Sequence, residues 1–298
     1  MLTDKKIRDI MLTSLFSDDT LADNLTLKGA QALTLTSSLR RTTTDLDLSA
    51  TFNKSKEELE PLFFRALKEG FNEAQYEIVS FKLVYQPRKH NNWYIKSPIF
   101  PHNEIIWGGY QIIFSIVSFE KFDNIRIKKE RQNKKFDAAM IADRSLEIDL
   151  SFGEYTETKD EVELDDTIIY VYSPLMSLYE KARASVQQLP DYTLTSSKTR
   201  SRDIYDIYQL VNDKNLNILE HIYLPENIEI LKKMFSLKGV DLELLTKVKQ
   251  NYSEELIEDF EYRVKPQLEY VEQQSSNFEY MLQTVSKIFE KLYQCTNL

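Results

Sequence analysis

Apolar residues at Ile7, Ile10, Met11 and Leu15 share one helical face and predict an opening helix, which the polar run Ser17-Asp18-Asp19-Thr20 ends. Leu25 to Lys28 predicts a short strand, and Gly29 breaks it. Ala30 to Leu35 starts a helix, and after Arg40-Arg41 the stretch Thr43 to Ser49 alternates with period two, as a half-buried strand does. The order is strand, tight turn, helix, strand. Ser55-x-x-Glu58 is a capping box opening an amphipathic helix through Leu59, Leu62, Phe63, Ala66 and Leu67, with Gly70 placed as its stop.

Tyr76 to Tyr85, Ile105 to Ser118 and Leu146 to Phe152 are rich in β-branched and aromatic residues and predict further strands, with Gly108-Gly109 marking a bulge or turn. Ile168 to Tyr172 adds a candidate strand. Arg126 to Lys135 packs six basic residues into ten positions and predicts an exposed loop or frayed helix. After Ser173-Pro174 the composition turns to helix formers, with helices expected over 175–189, 201–213, 226–236, 240–250, 253–263 and 266–293. Strands mixed with helices, then helices alone, predict an α+β fold: a mixed-sheet domain over 1–172 and an all-helical domain over 173–298.

The 298 residues are 42% hydrophobic, which excludes a disordered chain, and no apolar run is long enough to span a membrane. The Met1-Leu2-Thr3-Asp4-Lys5-Lys6 start lacks the apolar core of a secretory signal, so a cytoplasmic protein is expected. One cysteine, Cys295, and three histidines fall short of a structural zinc site, so metal chemistry here must rest on carboxylates. Neither GxxxxGK[ST] nor GxGxxG occurs among only six glycines, which removes P-loop and dinucleotide-binding readings. The net charge of −9 is uneven: residues 1–150 hold 22 basic and 21 acidic side chains, and residues 151–298 hold 16 and 26. The first half is therefore the better candidate for handling a polyanion.

Asp45 and Asp47, two apart on a strand, leave one face about 6.5–7 Å apart at the backbone, a span that two side chains close onto a shared hard cation. Arg40 and Arg41 precede them and offer forks for phosphate oxygens. Glu147-Ile148-Asp149 repeats the pattern on another strand, and either acid can complete a two-metal phosphoryl-transfer site; Asp149 is the preferred third carboxylate. Lys28-Gly29-Ala30 lies where a strand meets a helix, a place where backbone N–H groups and the helix dipole attract phosphate. Taken alone, D-x-D also describes an ordinary solvated strand face.

The segment from Lys28-Gly29-Ala30 through Arg41, Thr43, Asp45 and Asp47 resembles the nucleotidyltransferase toxins of the AbiEii/AbiGii type, within the DNA polymerase β-like superfamily. Ser173-Pro174 to Lys181 and Arg200-Ser201-Arg202-Asp203-Ile204-Tyr205-Asp206 are similar to two further motifs of those proteins, in the same order. Two departures stand out: Ala30 replaces a common Ser or Gly, and Thr43 replaces Ser.

The resemblance implies metal binding by Asp45 and Asp47, phosphate contact by Lys181 and an essential acidic role for Asp203; the strand pattern adds Asp149 to them as the third catalytic, metal-holding carboxylate. It implies nucleotide contacts by Gly29, Ala30, Arg41, Thr43 and Lys181, to which Lys28 is added by its place at the strand–helix turn and Arg202 by its planar guanidinium. The expected reaction is Mg²⁺-dependent transfer of NMP from an NTP to a hydroxyl of RNA, such as tRNA, or of a protein, by a toxin with a cognate antitoxin and no membrane partner. A small-molecule transferase of the aminoglycoside type and a non-catalytic interaction protein on the same fold are the alternative classes.

Overall fold

The computed structural model describes residues 2–39, 45–52, 54–86, 94–96, 104–106, 108–131, 138–192 and 199–297. Two compact units make up the chain: Met1–Leu35, Arg41–Ile95 and Ile106–Tyr172 form one, and Thr36–Arg40, Lys96–Ile105 and Ser173–Leu298 the other.

In the first unit, helix α1 (Asp4–Phe16) is capped by Thr3, whose hydroxyl accepts from the Lys6 N–H, and buries Ile7, Ile10, Met11, Leu12, Leu15 and Phe16. Asp18 caps the short α2 (Asp19–Ala22). In chain order, strand β1 (Leu25–Lys28), α3 (Gly29–Thr36) and β2 (Leu46–Ala50) follow, then α4 (Lys56–Glu73), β3 (Tyr76–Gln86), β4 (Tyr94–Lys96), β5 (Glu104–Ile106) and β6 (Gly109–Ser118), with Lys96 of β4 and Glu104–Ile105 of β5 assigned to the second unit. Helix α5 (Phe119–Arg131), β7 (Arg144–Phe152), β8 (Asp160–Leu164) and β9 (Thr167–Val171) complete the order. Seven strands form one mixed sheet in the order β3-β6-β7-β2-β1-β9-β8, parallel at β2/β7 and β1/β9 and antiparallel elsewhere. Leu46 and Leu48 of β2 and Ile148 and Leu150 of β7 point into the core with at most 2% exposure, so alternation sends Asp47 and Asp149 to the other face.

The Ser55 capping box is present in both directions, as the sequence predicts. Gly70 does not stop α4: the helix continues to Glu73, and a Cβ at Gly70 would stand 1.9 Å from the Ser14 hydroxyl of α1. The glycine is a notch that lets α1 and α4 pack closely. Gly109 does the same in the sheet, where a Cβ would meet the Leu150 carbonyl oxygen at 1.7 Å.

The basic run from Arg126 continues α5 as far as Arg131, and its remainder at 132–135 lies outside the described residues. Strand β8 escapes sequence reading because Glu161 and Glu163 make its segment polar; it pairs with β9 through a tight turn at Asp165 and Asp166, both left-handed.

In the second unit, Ser173 caps α6 (Pro174–Val186), with Pro174 in the first helical turn, where its missing N–H costs nothing. Helices α7 (Ser201–Asn212), α8 (Ile218–His221), α9 (Pro225–Ser236), α10 (Val248–Asp259), α11 (Tyr270–Ser275) and α12 (Phe278–Cys295) follow. The helix expected over 240–250 is instead a 3₁₀ turn, Leu242–Thr246, capped by Asp241, and α10 starts at Val248. The long helix expected over 266–293 is interrupted, and Asn277 caps a fresh start at α12. Phe260 and Phe278 stack at 4.5 Å, and Tyr179, Phe235 and Phe289 are fully enclosed. Thr36–Arg40 joins this unit because Ser38 donates from its N–H and its hydroxyl to Asp213, just past α7.

Candidate active site on the sheet

The sheet brings four polar side chains into one lateral row. Lys28 of β1 is the register partner of Asp47 of β2, Asp47 that of Asp149 of β7, and Asp149 that of Gln111 of β6. Side chains in register share a face, so the row crosses the middle of the sheet at the end where β1 turns into α3. Asp45 stands two residues before Asp47, exposed, just ahead of the strand.

Gly29 fixes the contact between turn and strand. Its φ of +69° is left-handed, and a Cβ built on it would lie 2.5 Å from Asp47 Oδ2. Helix α3 begins at this residue, so its first N–H groups lie beside the carboxylate strand.

Burial pushes the Asp149 carboxyl up from its ordinary value, and the negative charges of Glu147 and Asp45 push it further, against Gln111 and Lys28, which pull it down. Glu147, the other candidate third carboxylate, is exposed and accepts from the Gln111 amide at 2.9 Å. Lys28 is nearly enclosed, with Nζ 2.7 Å from Glu154 Oε2 and 3.2 Å from the Ser151 hydroxyl. Ser49 also donates to Glu154, at 2.6 Å, and its hydroxyl lies 3.1 Å from the Tyr172 hydroxyl.

Glu154, Ser49, Ser151, Gln111 and Tyr172 carry no signal in the sequence that marks them for this site. Glu154 follows Gly153 in a turn, and no local pattern distinguishes it; Gln111 and Ser151 gain meaning only from register. Arg41 and Thr43 lie outside the described residues.

In the helical unit, Lys181 of α6 is shared between two acids of α7, with Nζ 2.9 Å from Asp203 and 2.8 Å from Asp206. Arg200 reaches the other Asp203 oxygen at 3.3 Å. Burial alone would raise the Asp203 carboxyl, but Lys181 and Arg200 outweigh it and hold it below its ordinary value. Arg202 is half-buried, and its Nε has no hydrogen-bond partner among the described residues.

Over residues 10–284 the sequence matches the family described as nucleotidyl transferase AbiEii toxin, type IV toxin–antitoxin system. The chain belongs to the AbiEii family. It is a nucleotidyltransferase of a type IV toxin–antitoxin family.

Among solved structures, JHP933 from Helicobacter pylori is similar at 13% identity, covering 98% of this chain and 91% of that one with a TM-score of 0.48. An antigenic nucleotidyltransferase-like protein from Paracoccidioides brasiliensis is similar at 13% identity, covering 78% and 94% with a TM-score of 0.38. No curated protein matches.

Members of such a family act on nucleotides with a divalent cation, so the AbiEii carboxylates can be judged as ligands. Among the described residues no group of three or more His, Cys, Asp or Glu side chains is gathered tightly enough to hold a metal ion. The donor set nonetheless fits a hard cation in kind. It consists of carboxylate oxygens, and negative charge accumulates around Asp149 from Asp45 and Glu147. Among the described residues no helix is long and apolar enough to cross a membrane.

Proposed function

We propose that this protein transfers NMP from an NTP to an acceptor hydroxyl at the sheet row, with Asp45, Asp47 and Asp149 holding Mg²⁺. The observation that carries this reading is the register of Asp47 with Asp149, with the Gly29 turn packed on the Asp47 carboxylate. A divalent cation held by these carboxylates would supply charge neutralisation for the phosphates and acidify an acceptor hydroxyl. Gly29 and Ala30 offer backbone N–H groups at the start of α3, where the helix dipole favours phosphate. Arg41 and Thr43 belong to this nucleotide contact by resemblance. The rest of the chemistry is positioning and charge neutralisation, which needs no histidine or covalent nucleophile.

By resemblance Lys181 contacts phosphate, and within the helical unit Asp203 and Asp206 hold its ammonium. Arg202 adds a half-buried guanidinium for the nucleotide. The acceptor is a hydroxyl of RNA, such as the 3′ end of tRNA, or of a protein, in a cytoplasmic setting with a cognate antitoxin. The basic segment of α5 supports an RNA backbone contact, although Arg126 already pairs with Asp123.

The test incubates the protein, and its Asp45→Ala variant, with each α-labelled NTP, Mg²⁺ and total bacterial RNA. Asp45-dependent label on RNA supports the reading and names the nucleotide. Label on protein moves the acceptor to protein. Label on neither overturns the RNA assignment and leaves the small-molecule and non-catalytic classes.

A further inference from the structure

Lys28 is the last residue of β1 and the register partner of Asp47, so it shares a face with the carboxylate row. Asp47 is in turn the register partner of Asp149, so all three side chains lie in one row. An ammonium at this place competes with any cation for the same carboxylates, because both are positive and the carboxylates are the nearest negative groups in the row.

Glu154 answers that competition. It comes from beyond β7, its side chain is 8% exposed, and its Oε2 stands 2.7 Å from Lys28 Nζ, which is 9% exposed. Glu154 is held in turn by the Ser49 hydroxyl at 2.6 Å, while Ser151 receives a bond from the Lys28 ammonium at 3.2 Å. Ser49 also meets Tyr172 at 3.1 Å, so the acid is fixed within a buried polar network on the sheet and is not left to swing. A buried ion pair of this kind is weak as a source of stability, since desolvation offsets most of the attraction. Its location gives it a different use.

We infer that Glu154 is a positioning residue for cation binding: it draws the Lys28 ammonium toward itself and so takes a share that Asp47 and Asp149 would otherwise hold in full. This rests on the reading that Asp45, Asp47 and Asp149 hold the divalent cation. With Glu154 in place, the net charge that the row presents to an incoming cation stays negative. Without it, Lys28 turns to the carboxylates and neutralises them. Neutralising Lys28 as well removes the competitor and restores the row, so the effect of losing Glu154 depends on whether Lys28 is charged.

The experiment measures Mn²⁺ binding to the full chain from the loss of the free Mn²⁺ electron paramagnetic resonance signal, with no nucleotide present. Wild type, Asp47→Ala, Glu154→Gln and the double variant Lys28→Met/Glu154→Gln are compared, with circular dichroism on each. Glu154→Gln is expected to weaken Mn²⁺ binding about ten-fold, the scale of one nearby unit charge in a partly buried site. The double variant is expected to return to within about two-fold of wild type.

Binding in Glu154→Gln equal to wild type overturns the inference while leaving the carboxylate site standing. A double variant as weak as Glu154→Gln also overturns it, because Glu154 would then act through the structure and not through Lys28. If Glu154→Gln does not fold, the double variant still decides: wild-type binding supports the inference, and binding weakened about ten-fold overturns it. Mn²⁺ binding that Asp47→Ala leaves unchanged overturns the metal reading itself, and this inference with it.

Discussion

Replacing Gly29 with alanine separates the chemistry of the turn from its contribution to stability. At φ +69° a residue with a Cβ costs about 1–2 kcal/mol, because the side chain crowds the following carbonyl. The new Cβ would also stand 2.5 Å from Asp47 Oδ2, and ordinary contact begins near 3.4 Å, so the carboxylate must withdraw by about 0.9 Å. The stability loss is modest against a typical total of about 5–15 kcal/mol, so nearly every molecule stays folded. The displacement is not modest for a group that positions reacting atoms, where about 1 Å of error costs about 10²-fold in rate. Gly29→Ala is therefore expected to lower the melting temperature by about 2–4 °C for each kcal/mol lost. Under the same conditions its NMP transfer should fall about a hundred-fold. Differential scanning fluorimetry and a labelled-NTP transfer assay on one preparation read both quantities. A variant with lowered melting temperature but wild-type transfer would show that Asp47 is not a working ligand, whatever the packing.

Asp203→Asn should flatten the acid limb of stability. Lys181 and Arg200 hold the Asp203 carboxyl below its ordinary 3.8 despite burial, so its contribution is present above that value and is lost as the pH falls through the depressed one. Urea midpoints at pH 7 and pH 3 should therefore differ more for wild type than for Asp203→Asn, and equal differences would refute the assignment. Gly70→Ala should destabilise by about 1–3 kcal/mol through the clash with Ser14, and by less when Ser14→Ala is also present; an equal loss in both backgrounds in urea titrations would contradict the notch. Ser55→Ala should cost about 1 kcal/mol by breaking the capping box, with transfer activity unchanged, and a neutral denaturation midpoint would show that the box contributes nothing.

What was legible in the sequence is what local chemistry encodes. The α4 start is written in Ser55 and Glu58, the α6 start in Ser173-Pro174, and the core side of β2 in Leu46 and Leu48, because caps and alternation act over a few residues. The α+β class followed from the order of those signals. Gly70 looks like punctuation in the sequence, since nothing local tells a helix stop from a packing notch that depends on Ser14, 56 positions earlier in the chain. Strand β8 was invisible because its alternation is written in glutamates, and pairing with β9 makes it a strand. Asp45 and Asp47 stand out through their spacing together with the neighbouring motif, since D-x-D alone also describes a solvated strand face. The placing of Asp149 beside Asp47 depends on a parallel β2/β7 register between residues about a hundred positions apart, which no local pattern carries. Glu154 and Gln111 matter only through that register, and so could not be found without the sheet.

The most direct test is a crystal grown with Mn²⁺ and a non-hydrolysable NTP analogue, with anomalous scattering recorded at the manganese edge. The account predicts an anomalous peak in contact with the Asp47 carboxylate and with Asp45 or Asp149, and the analogue's phosphates beside Gly29 and Ala30. Manganese and nucleotide bound away from these carboxylates would contradict it.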